Sequence, residues 1–151
     1  MEKHLEVVKQ TVDKMIELLG VDASAQVEFV SENIFNVDIS TPEETGLLIG
    51  FRGENISSLQ TVLGAIVKSI TGEWLRININ VGDYKQKQEQ KLKDMADQIA
   101  VRAVESGQDQ PIYNLNATQR RIIHLHLSDR EDVFTESQGE EENRYLVVKS
   151  K

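Results

Sequence analysis

The sequence contains no cysteine. Disulfide frameworks, zinc sites built on thiolates and cysteine nucleophiles are therefore excluded, and nothing in the chain calls for an oxidising compartment. Long apolar runs are missing as well, because none approaches the roughly 18 residues that a membrane-spanning helix needs. We therefore expect a cytoplasmic protein without a membrane segment.

Catalytic motifs are also missing. The chain has no phosphate-binding loop of the GxxxxGK type, no His-Glu-x-x-His zinc motif and no Gly-x-Ser-x-Gly nucleophile motif. Its carboxylates are scattered along polar faces, so they form no ligand set for a metal ion. We predict that the protein is not an enzyme, and we expect no cofactor and no metal site.

Positive charge is in short supply. The chain carries 17 basic and 25 acidic side chains, a net charge of -8, and this is the wrong sign for a protein whose affinity comes from phosphate contacts. The deficit is uneven: residues 1–83 carry 6 basic and 13 acidic side chains, whereas residues 84–151 carry 11 and 12. The acidity therefore lies in the first half, with a net charge of -7 against -1.

Apolar residues at helical spacing and at alternate positions predict two small domains of the α+β class, residues 1–83 and residues 84–151. In the second domain, a long helix connects to a strand, a helix and two further strands. Gly20 and Gly72 are predicted to end the first and third helices. The predicted helices are residues 5–19, 47–49, 56–70, 84–106 and 117–127, and the predicted strands are 27–29, 35–39, 75–81, 112–115, 133–135 and 144–148.

A glycine-bounded loop, Gly50-Phe51-Arg52-Gly53, joins two of the predicted helices. A GxxG tetrapeptide alone is usually a plain turn, but here it stands in the order helix, strand, strand, helix, GxxG, helix, strand. Over residues 5–82 this order resembles the prokaryotic (type II) KH domain, a fold that binds single-stranded nucleic acid. The physical reason suits the ligand, because glycines let a nucleic-acid backbone come close and the amides of the following helix carry partial positive charge.

The KH resemblance implies a groove lined by aliphatic side chains beside the loop. Ile49 and Ile56 are the candidates, and a plain core role is the alternative for both. The loop departs from the family pattern, which often has two basic residues between the glycines, because Phe51 accompanies a single Arg52. An exposed Phe51 could stack on a base or anchor a protein partner.

A second motif, Arg-x-x-x-His, is formed by Arg120 and His124. Four residues make about one helical turn, so both side chains share a face of the predicted helix, with Arg121 farther round. On the same wheel His126 falls on the apolar side, which predicts a core histidine. An isolated motif of this kind is most often a solvated helix face. Asn116 with Gln119 has the form of a capping box, which would begin the helix.

The surroundings of this motif resemble the R-3-H (Arg-x-x-x-His) domain across residues 88–149. The resemblance rests on Asn116 before the motif, Ser137 and Gly139 after it, and residues 144–148 at the end. It implies that Arg120 and His124 contact phosphate or sugar of single-stranded nucleic acid, RNA or alternatively DNA. Arg121 and Arg144 are further candidates, with a plain surface role as their alternative.

A KH domain, a connecting helix and an R-3-H domain in this order resemble the bacterial Jag family, also called KhpB. The resemblance implies post-transcriptional RNA binding, a small single-KH protein as partner, and a link to cell elongation and division. Many members begin with a further small domain that has no counterpart here, so the chain is expected to be part of a longer protein or a short variant. The alternative function is a protein-interaction module with little RNA affinity, favoured by the acidic first half and by Phe51.

Overall fold

The computed structural model describes residues 2–43 and 45–151, so that Met1 and Glu44 lie outside the described residues. The chain divides into two compact units, Met1–Lys85 and Gln86–Lys151. Both units combine helices with strands. The predicted α+β class is therefore confirmed.

The first unit is a three-stranded sheet with helices packed on it. Its elements are α1 (Glu2–Leu19), β1 (Ser24–Ser31), β2 (Ile34–Ser40), α2 (Thr45–Ile49), a 3-10 turn (Phe51–Gly53), α3 (Glu54–Thr71) and β3 (Arg76–Val81). The strand order is β1-β2-β3, with β1 antiparallel to β2 and β2 parallel to β3. The apolar stripes of α1 and α3 pack on this sheet around a core that includes Phe35 and Leu63.

Alternation along β2 and β3 leaves polar side chains in register. Asn78 Nδ2 donates to Asn36 Oδ1 at 3.0 Å, and Asn80 Nδ2 donates to Asp38 Oδ1 at 2.9 Å. These pairs keep the strands in one register, because a slip of one residue would move them into the core. The polar face shared by β2 and β3 therefore contains a ladder of amide contacts.

Two glycines end helices of the first unit as predicted. Gly20 follows α1 with a φ of +69°, and Gly72 follows α3 with a φ of +79°. The Gly72 N–H donates to the carbonyl oxygen of Lys68 at 2.8 Å and so satisfies one of the last carbonyls of the helix. Both positions use the left-handed conformation that a side chain disfavours.

The second unit is an antiparallel sheet covered by helices on one face. Its strands have the order β4-β6-β5. Apolar residues of the helices and of all three strands form one core, which includes Ile123 and Leu146. The elements are α4 (Tyr84–Ser106), β4 (Gln110–Ile112), α5 (Ala117–Ser128), β5 (Val133–Gln138), a 3-10 turn (Glu141–Asn143) and β6 (Tyr145–Ser150).

Two details of the second unit differ from prediction. The strand expected at residues 112–115 is β4 at Gln110–Ile112, and it includes Pro111, which an edge strand tolerates because one side of its backbone needs no partner. The helix α4 packs through fully buried Ala96 and Ala100, whereas the larger Val104 of the same predicted helix is exposed. Small side chains let the helix approach the sheet closely. The buried face of α4 therefore includes alanines that the spacing of the larger apolar residues did not indicate.

Candidate nucleic-acid interface

The glycine loop of the first unit is a tight connection between α2 and α3. Gly50, Arg52 and Gly53 have positive φ angles of +69°, +53° and +82°. The Gly50 N–H donates to the carbonyl oxygen of Gly46 at 2.9 Å. Arg52 is the non-glycine member of this left-handed group, and that conformation costs an ordinary side chain about 1–2 kcal/mol. The loop is therefore held in a shape that its one arginine does not favour.

Neighbouring side chains explain why the two glycines are needed. A Cβ atom on Gly50 would lie 2.6 Å from Cγ of Asn55, and one on Gly53 would lie 2.5 Å from the hydroxyl oxygen of Tyr84. Asn55 is fixed in turn, because its Nδ2 donates to the carbonyl oxygen of Leu47 at 2.7 Å. Asn55 and Tyr84 thus occupy the space that side chains at positions 50 and 53 would need. The sequence analysis identified neither residue as part of the loop. The one signal that could have indicated a role is the position of Asn55, two residues after Gly53.

The outer side of the loop presents Phe51 and Arg52. Phe51 is 71% exposed, and the guanidinium carbon of Arg52 lies 5.1 Å from the centre of its ring. The cation and the ring therefore form one exposed cation–π pair. Gly53 precedes α3 and supplies no side-chain cap, so no side chain of the cap residue satisfies the first amides of that helix, which carry partial positive charge. Glu54 in the first turn opposes an anion there.

The two isoleucines expected in the groove occupy different environments. Ile56 is 8% exposed and belongs to the core of the first unit, which favours the core role that was its alternative. Ile49 stays partly exposed and packs against the same core. An apolar cleft of about 370 Å³, lined by residues that include Leu47, Asn55 and Leu59, lies beside these positions. The resemblance implies an aliphatic groove beside the loop, but neither Ile49 nor Ile56 is among the residues that line this cleft.

Arg120 stands at the start of α5, where the predicted capping box is confirmed. Asn116 Oδ1 accepts from the Gln119 N–H at 2.9 Å, and the Gln119 side chain accepts from the Asn116 N–H at 2.9 Å. One turn into the helix, Arg120 Nη1 donates to the carbonyl oxygens of Leu115 at 2.6 Å and of Arg144 at 3.3 Å. The arginine of the motif therefore ties two backbone segments together, and this leaves its other guanidinium nitrogens for a ligand.

His124 lies one turn after Arg120 and is exposed. Its Nδ1 atom and the Oγ1 atom of Thr135 on β5 are 2.5 Å apart. This contact fixes the ring and occupies Nδ1, so Nε2 is the nitrogen that can meet a ligand. The motif brings Arg120 and His124 to one face of α5 as expected, with both side chains braced by segments outside the helix.

His126 was predicted to be a core histidine, and the structure corrects this. The side chain is 28% exposed, and its Nε2 atom lies 3.0 Å from Oδ2 of Asp97 on α4. Arg130 also approaches Asp97, at 3.7 Å. The wheel placed His126 on the correct side, but at the rim of the core, where a carboxylate satisfies the ring.

Some cations of the second unit form ion pairs with carboxylates, and others form none with a described residue. Lys149 Nζ lies 2.9 Å from Glu136 Oε2, and this hydrogen bond raises the pKa of Lys149 and lowers the pKa of Glu136. Arg121 and Arg144 are exposed and take part in no ion pair with any described residue. These two arginines are among the cations of the described residues that an anionic ligand could neutralise without first breaking a pair.

Within residues 2–43 and 45–151, no cluster of three or more histidine, aspartate and glutamate side chains could hold a metal ion. In the same part of the chain, no helix combines the length and the apolar character that crossing a membrane requires.

Comparison with known proteins places these two surfaces in a family context. Residues 90–150 match the family model of the R-3-H domain. The chain is similar to RNA-binding protein KhpB of Clostridium symbiosum, with 28% identity over 99% of this chain and 66% of that protein. Proteins of the same name in Streptococcus pneumoniae serotype 2 and Bacillus subtilis share 29% identity over 91% of this chain and 28% over 74%. The chain spans 41% and 54% of those two relatives, so it covers less than two thirds of the length of all three curated proteins.

Proposed function

The chain belongs to the KhpB (Jag) family, and from this premise we propose that it binds single-stranded RNA in the cytoplasm as a non-enzymatic, post-transcriptional regulator. The observation that carries the proposal is the braced pair of Arg120 and His124 in the unit that matches the R-3-H domain. Its relatives are named RNA-binding proteins. A link to cell elongation and division is part of the proposal and rests on the family alone.

The second unit is proposed as the main RNA contact. Arg121 and Arg144 have exposed guanidinium groups that form no ion pair with a described residue, and His124 can present Nε2. Arginine forks and histidine nitrogens suit phosphate and sugar oxygens, which position a strand without reading its sequence. Residues 84–151 carry a net charge of only -1, so a few local cations can attract a strand there. Single-stranded DNA offers the same phosphates and remains an alternative ligand of this unit.

The first unit is proposed to be a type II KH domain of residues 1–83. Its support is the order of elements, with the GxxG loop between α2 and α3 and a strand after α3. A KH loop clamps about four nucleotides of backbone. Gly50, Phe51, Arg52 and Gly53, with Ile49 beside them, form the proposed contact. We expect this contact to be weak, because Arg52 is the one cation of the loop and residues 1–83 have a net charge of -7.

A second candidate function is protein binding by the first unit. The unit exposes several large apolar side chains despite its acidity, among them Leu18 at 75%, Phe51 at 71% and Leu47 at 61%. Exposed apolar groups within a charged surface are typical of protein interaction sites. The partner implied by the family resemblance is a small single-KH protein. In this alternative the first unit holds the partner and the second unit alone meets RNA.

Salt-dependent binding of single-stranded RNA tests the proposal. The double variant His124→Ala with Arg144→Ala is expected to weaken binding and to make the dependence on salt shallower, by about 0.7 in log–log slope for each phosphate that is no longer neutralised. Arg102→Ala, an exposed arginine on α4, is the matched control for charge and should leave the slope unchanged. RNA affinity that is identical in the double variant and the control would contradict the assignment of this face.

A further inference from the structure

A small cavity in the second unit lies outside both sequence motifs. Its volume is about 290 Å³, close to the lower limit of about 300 Å³ for small-molecule sites, which fits one nucleobase rather than a larger ligand. It is found where β4 ends and β6 begins. The lining residues are Tyr113, Asn114, Glu142, Asn143, Arg144 and Tyr145.

Two tyrosines form one wall of this cavity. Ile112 pairs with Leu146 at the end of the β4–β6 ladder, so Tyr113 and Tyr145 come next on the two segments. Their ring centres are 4.9 Å apart with an angle of 39° between the planes. The Tyr145 hydroxyl donates to Oε1 of Gln138 at 3.1 Å, which anchors that ring. Tyr113 leans on an anchored neighbour and is itself 60% exposed, so one side of its ring is open.

Arg120 holds the two walls together. Its Nη1 atom donates to the carbonyl oxygen of Leu115, in the segment after Tyr113, and to that of Arg144, immediately before Tyr145. The separation of the two tyrosines therefore depends on the arginine of the Arg-x-x-x-His motif. In this role Arg120 is a positioning residue, which acts through the shape of the cavity.

The chemistry of the cavity fits a base better than a phosphate. An open tyrosine face stacks on any nucleobase, and the side-chain amides of Asn114 and Asn143 offer donors and acceptors to a base edge. Glu142 on the rim repels a bare phosphate, whereas Arg144 can meet the phosphate attached to a stacked nucleoside. We propose that this cavity binds one nucleobase of single-stranded RNA, stacked on Tyr113. The inference rests on the proposed function and names a contact that the motif does not contain.

Binding of two ligands by the full chain tests the inference. The probes are a fluorescein-labelled single-stranded RNA of mixed sequence and an abasic ribose-phosphate chain of the same length. Tyr113→Ala is expected to weaken binding of the RNA by roughly 5- to 150-fold, the range that removal of one base–aromatic stack produces. It should leave the affinity for the abasic chain unchanged. Tyr113→Phe keeps the ring and should bind both probes as the unaltered chain does.

Thermal unfolding of Tyr113→Ala must match that of the unaltered chain, and Tyr113→Leu, which keeps apolar contact with Tyr145 but has no ring, covers the case in which it does not. RNA binding by Tyr113→Leu at full strength would overturn the inference and leave the proposed function intact. If the unaltered chain bound no single-stranded RNA, both would fall. Equal losses for RNA and for the abasic chain would also overturn the inference, since the tyrosine would then act on the backbone.

Arg120→Lys tests the positioning role. Lysine keeps the charge but lacks the planar fork that reaches two carbonyl oxygens. The variant is expected to lose most of its preference for RNA over the abasic chain while its salt slope stays unchanged. Equal weakening of binding to the RNA and to the abasic chain, with the preference intact, would show that Arg120 contacts the backbone and does not shape the cavity.

Discussion

The two units hold the residues that would contact a ligand in different ways. In the first unit the backbone makes the site: Gly50 and Gly53 take positive φ angles, and the loop between them carries only Phe51 and Arg52. In the second unit side chains make it, because Arg120 and His124 lie on a regular helix and are braced by β6 and β5. A site made from backbone depends on the space around its glycines, whereas a site made from side chains depends on their partners.

Charge follows the same division. The net charge of -7 over residues 1–83 repels a polyanion at the glycine loop, and a single Arg52 offsets little of it. Exposed charges act over about 10 Å at 0.1 M salt, so Glu54, in the first turn of α3 beside the loop, opposes a phosphate there at ordinary ionic strength. Residues 84–151 carry nearly equal numbers of acidic and basic side chains, so the attraction of Arg121 and Arg144 for a phosphate is opposed less. The comparison therefore favours the second unit as the main contact in the proposed RNA binding.

The largest effect expected is from Phe35→Ala, which attacks the first unit alone. Phe35 is 1% exposed and packs edge-on against Phe29, with ring centres 5.6 Å apart. Truncating a buried phenylalanine costs about 3–5 kcal/mol. Urea unfolding followed by the emission of Trp74, the one tryptophan of the chain, measures this loss in the first unit. The free energy of RNA binding should change far less than the free energy of unfolding, because the proposed main RNA contact lies in the second unit. A variant that unfolds and loses all RNA binding would break the comparison.

A smaller effect is expected from Gly53→Ala, which tests whether the loop depends on space. The new Cβ would meet the Tyr84 hydroxyl at 2.5 Å in a backbone conformation of φ +82°. The conformation alone costs about 1–2 kcal/mol, and the contact adds to it. Tyr84→Phe removes the hydroxyl, so the double variant should recover part of the stability lost in urea unfolding. Gly46→Ala is the matched control, because a Cβ there meets nothing within 4 Å. Without recovery in the double variant, Tyr84 would not be what shapes the loop.

Part of this organisation was predictable from the sequence because it is local. The capping box at Asn116 and the glycine stops after α1 and α3 depend on residues within one turn. The contacts of Tyr84 with the loop and of Arg120 with the Arg144 carbonyl join residues 31 and 24 positions apart, and no periodicity encodes them. Ile56 shows the same limit, since its wheel position fits a core residue and a groove residue equally well.

The smallest effect expected is that of Arg52→Asp on RNA affinity, and it separates the two candidate functions of the first unit. Aspartate tolerates positive φ better than arginine does, so the φ of +53° at this position should not unfold the loop. If the loop is a weak second RNA contact, affinity falls by less than about 1 kcal/mol, the value of one exposed charge interaction. Arg52→Asn, which removes the charge without reversing it, should fall between the variant and the unaltered chain in the same titration. If RNA affinity is unchanged in both variants while binding of a single-KH protein is lost, the first unit is a protein-interaction module, and RNA binding is confined to the second unit.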